Sequence, residues 1–89
     1  MSGGNLAQLR ILEALDGKRR TGFQIGEAAD MAVGTVYPVL RRMEAEGLIT
    51  SEWHEPAMKW SANRPRYYAL TDEGRHRLHV WREPYRRPA

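Results

Sequence analysis

The segment from Gly34 to Gly47 constrains this chain more than any other. Val36, Val39, Leu40 and Met43 recur at i, i+3, i+4 and i+7, the spacing that gathers side chains on one side of a helix. Gly47 can take the left-handed conformation that closes a helix. Directly beyond it the period changes, because Leu48-Ile49-Thr50-Ser51-Glu52-Trp53 is rich in β-branched and aromatic residues and roughly alternates. A half-buried helix over residues 33–46 that runs straight into a strand admits few folds.

The flanking segments narrow the choice. Leu6, Leu9, Ile11, Leu12 and Leu15 predict a first helix over 6–15, with Asn5 as its N-cap and Gly17 as its stop. After the polar break Lys18-Arg19-Arg20-Thr21-Gly22, the residues Phe23, Ile25, Ala28 and Ala29 predict a second helix over 22–30. Arg66-Tyr67-Tyr68-Ala69-Leu70 reads as a second strand, antiparallel to the first, so that 48–70 is one hairpin with a long loop. Thr71 then caps a last helix over 72–83, which Pro84 is expected to end. Three helices, a two-stranded hairpin and a short terminal helix define an α+β, mainly α chain whose parts are those of a winged helix-turn-helix.

Composition excludes several function classes. The 89 residues are expected to form one domain, since any division would leave at least one piece close to or below the ~40 residues that fold without staples. The absence of cysteine removes thiolate metal sites, disulfides and cysteine nucleophiles, and fits a reducing cytoplasm. No signal peptide or membrane span is recognisable, so a cytoplasmic protein without membrane contact is expected. His76 and His79 lack a third ligand, and no nucleophile–base pair, carboxylate pair or phosphate loop stands out. An enzyme, a metal and a cofactor are therefore not expected.

The charge balance is +3, with 14 Lys and Arg against 11 acids. Seven of the twelve arginines lie between Arg64 and Arg87, which makes the C-terminal third the basic part. Turning the third helix with its apolar stripe inward puts Gly34, Pro38, Arg41, Arg42 and Ala45 outward, flanked by Thr35 and Tyr37. Such a face suits a DNA groove: small residues let the backbone approach, hydroxyls reach phosphate or base edges, and arginines reach phosphates. It is equally compatible, residue by residue, with a solvated surface. Lys59, Arg64 and Arg66 border the hairpin loop, with Pro65 stiffening the arginines, and a cationic tip can grip a backbone or minor groove. Arg66 has the alternative of pairing with Glu52 across the hairpin. Trp53, Tyr67 and Tyr68 read as packing, whereas Trp60 stands in the loop.

These residues carry a resemblance. Gly34-Thr35-Val36-Tyr37-Pro38-Val39-Leu40-Arg41-Arg42-Met43-Glu44-Ala45-Glu46-Gly47-Leu48-Ile49 resembles the recognition helix of the PadR-like transcriptional regulators. Arg64 to Gly74 is similar to the wing and following helix start of the same family. The resemblance implies a homodimeric, repressor-like regulator with the third helix in the major groove of double-stranded DNA. It also implies Thr21 and Phe23, around Gly22, among the DNA-binding residues. The chain departs from the family at Ala32-Val33, where a serine and a proline are common, in a longer loop before Arg64, and in a short last helix. Leu78 and Trp81 of that helix, with Leu6 and Leu9, are the expected dimer stripe, and no drug-sized inducer pocket is expected. Two rival readings remain: a winged-helix protein-interaction module that docks a partner through Trp60 and Trp81, and a general architectural or single-strand binder.

Overall fold

The computed structural model describes residues 4–53 and 66–86. Along the chain run α1 (Gly4–Ala14), β1 (Arg20–Thr21), α2 (Gly22–Ala29), α3 (Val33–Ala45), β2 (Ile49–Trp53), β3 (Arg66–Leu70) and α4 (Asp72–Arg86). The three strands form one antiparallel sheet in the order β1-β3-β2. No helix among the described residues is long and apolar enough to cross a membrane.

One core binds these elements. Ile11 and Leu12 from α1, Leu15 just beyond it, Ile25 from α2, Val36, Leu40 and Met43 from α3, Leu48 and Ile49, and Tyr68, Leu70 and Leu78 are all buried. Full burial of an aliphatic side chain contributes about 1.5–3 kcal/mol, so this stripe-on-stripe packing is the main force that fixes the helices.

Local chemistry sets the boundaries. Thr21 caps α2: its hydroxyl accepts from Gln24 N at 3.2 Å while Gln24 Oε1 accepts from Thr21 N at 3.0 Å, a complete capping box. The α2–α3 corner is tight because Asp30 takes φ 58°, a conformation its short polar side chain tolerates, and Met31 N donates to Gly26 O at 2.9 Å. At the far end of α3, Gly47 (φ 79°) donates to Glu44 O, and Leu48 N donates to Met43 O at 3.0 Å. That is the two-bond C-terminal closure which satisfies orphan carbonyls, and buried Leu48 and Met43 supply its apolar contact. α3 starts at Ala32 without a side-chain cap. Thr71 bridges two elements, accepting from Gly74 N at 3.0 Å and donating to Gly47 O at 2.5 Å.

Several expectations require correction. The polar break is not structureless: Arg20 and Thr21 pair with Tyr68 and Tyr67, so the sheet has three strands. Two residues are too few to show alternation in sequence. α1 begins at Gly4, which puts Asn5 inside the helix, and it ends at Ala14, although Leu15 N still donates to Ile11 O at 3.1 Å. α4 runs through Pro84 to Arg86 and does not end at the proline. Arg66 stands opposite Trp53 and not Glu52, which faces Tyr67. Its guanidinium lies 4.7 Å from the centre of the Trp53 ring.

Candidate nucleic-acid interface

Each face of α3 has a distinct task. Val36, Leu40 and Met43 are sunk in the core and fix the helix axis. Gly34, Thr35, Tyr37, Pro38, Arg41, Arg42 and Ala45 are all exposed on the other side. Neither Arg41 nor Arg42 forms an ion pair with another described residue. Pro38 offers no N–H to the Gly34 carbonyl, and both residues are exposed, so that water can take the place of the missing donor.

Tyr37 fixes the corner as well as lying on the exposed face. Its ring rests on Gly22 so closely that a Cβ built there would stand 2.6 Å from the tyrosine Cζ. A side chain at position 22 would have to displace that ring. Gly26 plays a related part, since its Cβ would come within 3.0 Å of Met31 O and 3.4 Å of Val36 Cγ2. Phe23, next to Gly22, is 59% exposed on the first turn of α2. Thr21 belongs to the capping box and to β1, so its hydroxyl is already engaged.

The base of the hairpin is tied to α3. Ser51 Oγ donates to Glu44 Oε2 at 2.7 Å, joining β2 to the end of α3. Burial raises the pKa of the Tyr68 hydroxyl above its ordinary value; Arg66, hydrogen-bonded to it, pulls the other way, and nearby Tyr37 and Glu44 add to the rise. Arg66 is thus braced between the Trp53 ring and Tyr68. Lys59, Arg64 and the loop residues Trp60 and Pro65 lie outside the described residues.

The expected dimer stripe is divided. Leu78 is 3% exposed inside the protomer's own core, because α4 packs on α1, and it has no surface left to present. Leu6 is exposed, and Leu9 and Trp81 are half-buried against the core. Val80, which the periodicity did not single out, is exposed on the outer side of α4. Arg82 locks α4 to α1, with Nη2 3.0 Å from Asp16 Oδ2 and Nε 3.6 Å from Glu13 Oε2. Beside α1 lies an open hollow of about 410 Å³ edged by Arg10, Glu13, Arg20 and Asp30, charges of both signs where small-molecule sites are mostly apolar.

Sequence reasoning missed the contact of Tyr37 with Gly22, the pairing of β1, and Arg20, whose Nε donates to Ala14 O at 2.6 Å. The adjacency of Gly22 to a capping threonine was the one available signal.

A helix seated by its apolar side, an exposed opposite side and an adjoining β-hairpin define a winged helix-turn-helix protein. Residues 11–80 match the Transcriptional regulator PadR-like family, and the chain belongs to that family. Its members are regulators, not enzymes. A PadR family transcription regulator from Clostridium difficile shares 29% identity, with 90% of this chain and 86% of that one covered and a TM-score of 0.76. BpsR of Bordetella bronchiseptica, whose DNA binding is regulated by 6-hydroxynicotinic acid, shares 26% identity over 89% of this chain and 56% of its own, with a TM-score of 0.72. Bacillus subtilis PadR, solved with operator DNA, has the same fold at 24% identity, covering 94% and 49% of the two chains with a TM-score of 0.74. No curated protein matches the sequence.

Proposed function

We propose that this chain is a sequence-specific duplex DNA-binding regulator that acts as a homodimeric repressor. The observation that carries the reading is the outward face of α3, where exposed Thr35, Tyr37, Arg41 and Arg42 stand on a helix whose inner side is fully committed to the core. α3 enters the major groove, with Thr35 and Tyr37 at its near end and Arg41 and Arg42 on phosphates. Arg66, with Lys59 and Arg64 of the loop, holds the flanking backbone. Gly22 and Phe23 bring the start of α2 against the adjoining strand. The first-turn N–H groups of α3, left without a side-chain acceptor at Ala32, suit a phosphate oxygen.

Membership of a regulator family and the DNA binding of Bacillus subtilis PadR and BpsR support this reading. Two protomers related by a two-fold axis would meet through Leu6, Leu9, Val80 and Trp81, placing the two α3 helices about 34–36 Å apart, one turn of duplex. The test is a fluorescence-anisotropy titration of the protein against duplex from its own upstream region and against a scrambled duplex, each at two salt concentrations. Preference for the native duplex by more than ~10³, with steep salt dependence, is the expected result. Equal weak binding to both duplexes would overturn it. Sedimentation of wild type and Leu6→Glu tests the dimer, with a monomer expected only for the variant.

A further inference from the structure

The outward side of α3 changes character along its length. From Val33 to Leu40 it holds no charged residue and no side-chain amide. Val33 is 47% exposed, and Gly34, Thr35, Tyr37 and Pro38 are exposed with it. The first cation, Arg41, stands about 12 Å further along the axis, roughly the width of the major groove. Gln24, an amide on the neighbouring helix, is engaged in the capping box with Thr21.

Bidentate reading of guanine needs arginine or lysine, and of adenine asparagine or glutamine. The first two turns of α3 have none of these. Beside the hydroxyls of Thr35 and Tyr37, what they present is carbon: the valine methyls, the threonine methyl and the proline ring. A base pair shows one apolar group in the major groove, the C5-methyl of thymine.

We infer that Val33, Thr35 and Pro38 select half-sites by packing on thymine methyl groups, while Arg41 and Arg42 hold the backbone. The inference rests on the duplex-binding reading above and names what that surface discriminates. Specificity then lies in the uncharged half of the helix and affinity in the charged half. 5-Methylcytosine carries the same group at the same place, so it substitutes for thymine in this contact.

The experiment starts by selecting duplexes from a random pool with the purified protein. Each thymine of the selected half-site is then replaced by deoxyuridine, which removes only the methyl. Uridine under α3 is expected to weaken binding about fourfold per methyl, the factor that corresponds to burying one methylene-sized group. Val33→Ala, at an exposed first-turn position where alanine is a good helix former, is expected to abolish that loss at one position and keep it at the others. At that position 5-methylcytosine is expected to bind more tightly than cytosine. Equal binding of thymine and uridine duplexes, or an unchanged uridine effect in Val33→Ala, would overturn the inference while leaving selective binding intact. Failure to enrich any sequence would overturn the duplex-binding reading, and the inference with it.

Discussion

α3 and α4 both display arginines, and they use them in opposite ways. On α4, Arg75 pairs with Asp72 in the first turn, Arg77 lies 5.3 Å from the centre of the Trp81 ring, and Arg82 bridges to Glu13 of α1 and to Asp16 just beyond it. On α3, Arg41 and Arg42 are exposed and pair with no described residue. Counting charge along the sequence points to the C-terminal third, yet the described arginines of α4 are engaged with partners inside the protomer. A cation engaged inside the protomer would have to give up a partner before it met a phosphate. The footprint of a basic protein is therefore drawn by its uncommitted cations, and net charge alone does not place it.

The comparison can be broken first on α3 itself. Leu40→Ala removes a side chain that is wholly buried in the core shared by the helices and the hairpin. It is expected to cost about 2–5 kcal/mol of stability, measured by urea unfolding. Gly22→Ala is next, since the added methyl must displace the Tyr37 ring. Because that ring is a side chain near the surface and can turn, the cost is expected at the low end of overpacking, about 1 kcal/mol, together with weaker DNA binding. If Gly22→Ala bound DNA like wild type, Tyr37 would have no part in holding the duplex.

The two sets of arginines give the sharper test. Arg41→Ala combined with Arg42→Ala is expected to change stability by no more than about 0.5 kcal/mol. The same pair should weaken DNA binding and lower the salt slope by about 1 for each phosphate left without its arginine. Arg75→Ala and Arg77→Ala are expected to leave DNA affinity unchanged. Equal losses from both pairs, read in one salt titration, would erase the distinction between the helices. Arg82→Ala should act on stability alone, by about 1 kcal/mol or less and diminishing as salt is added, because its carboxylate partners are half exposed.

Much of this architecture is legible in the sequence wherever period and punctuation agree. The stripe from Val36 to Met43 with Gly47 behind it, and Thr71 ahead of Asp72 and Glu73, mark their elements because local chemistry decides them. The outward face of α3 follows from the inward one by geometry. What stays hidden depends on partners distant in the chain. β1 exists only because Arg20 and Thr21 meet Tyr68 and Tyr67. Leu78 has the same spacing whether it packs inward or faces a partner, and only the position of α1 assigns it to the core. For Arg66 the sequence offers a DNA backbone or Glu52, and the hairpin register instead sets it opposite Trp53.

Arg66 is an intermediate case between the two helices, held at the base of the wing yet exposed, and it supplies the smallest effect. Burial holds the neighbouring Tyr68 hydroxyl in its neutral form above the ordinary value of 10.0, with Tyr37 and Glu44 adding to the rise and Arg66 opposing it. The folded protein therefore keeps this proton when the unfolded chain has begun to lose it. Stability should not depend on Tyr68 ionisation below about pH 10, and should fall as pH rises from there through the raised folded value. Tyr68→Phe removes that proton while keeping the buried ring, so the variant should lose stability less steeply on the alkaline side. Urea midpoints for both proteins between neutrality and strong alkali provide the measurement. Parallel curves would mean that the hydroxyl is solvated in the fold, and that the wing's arginine is braced by Trp53 alone.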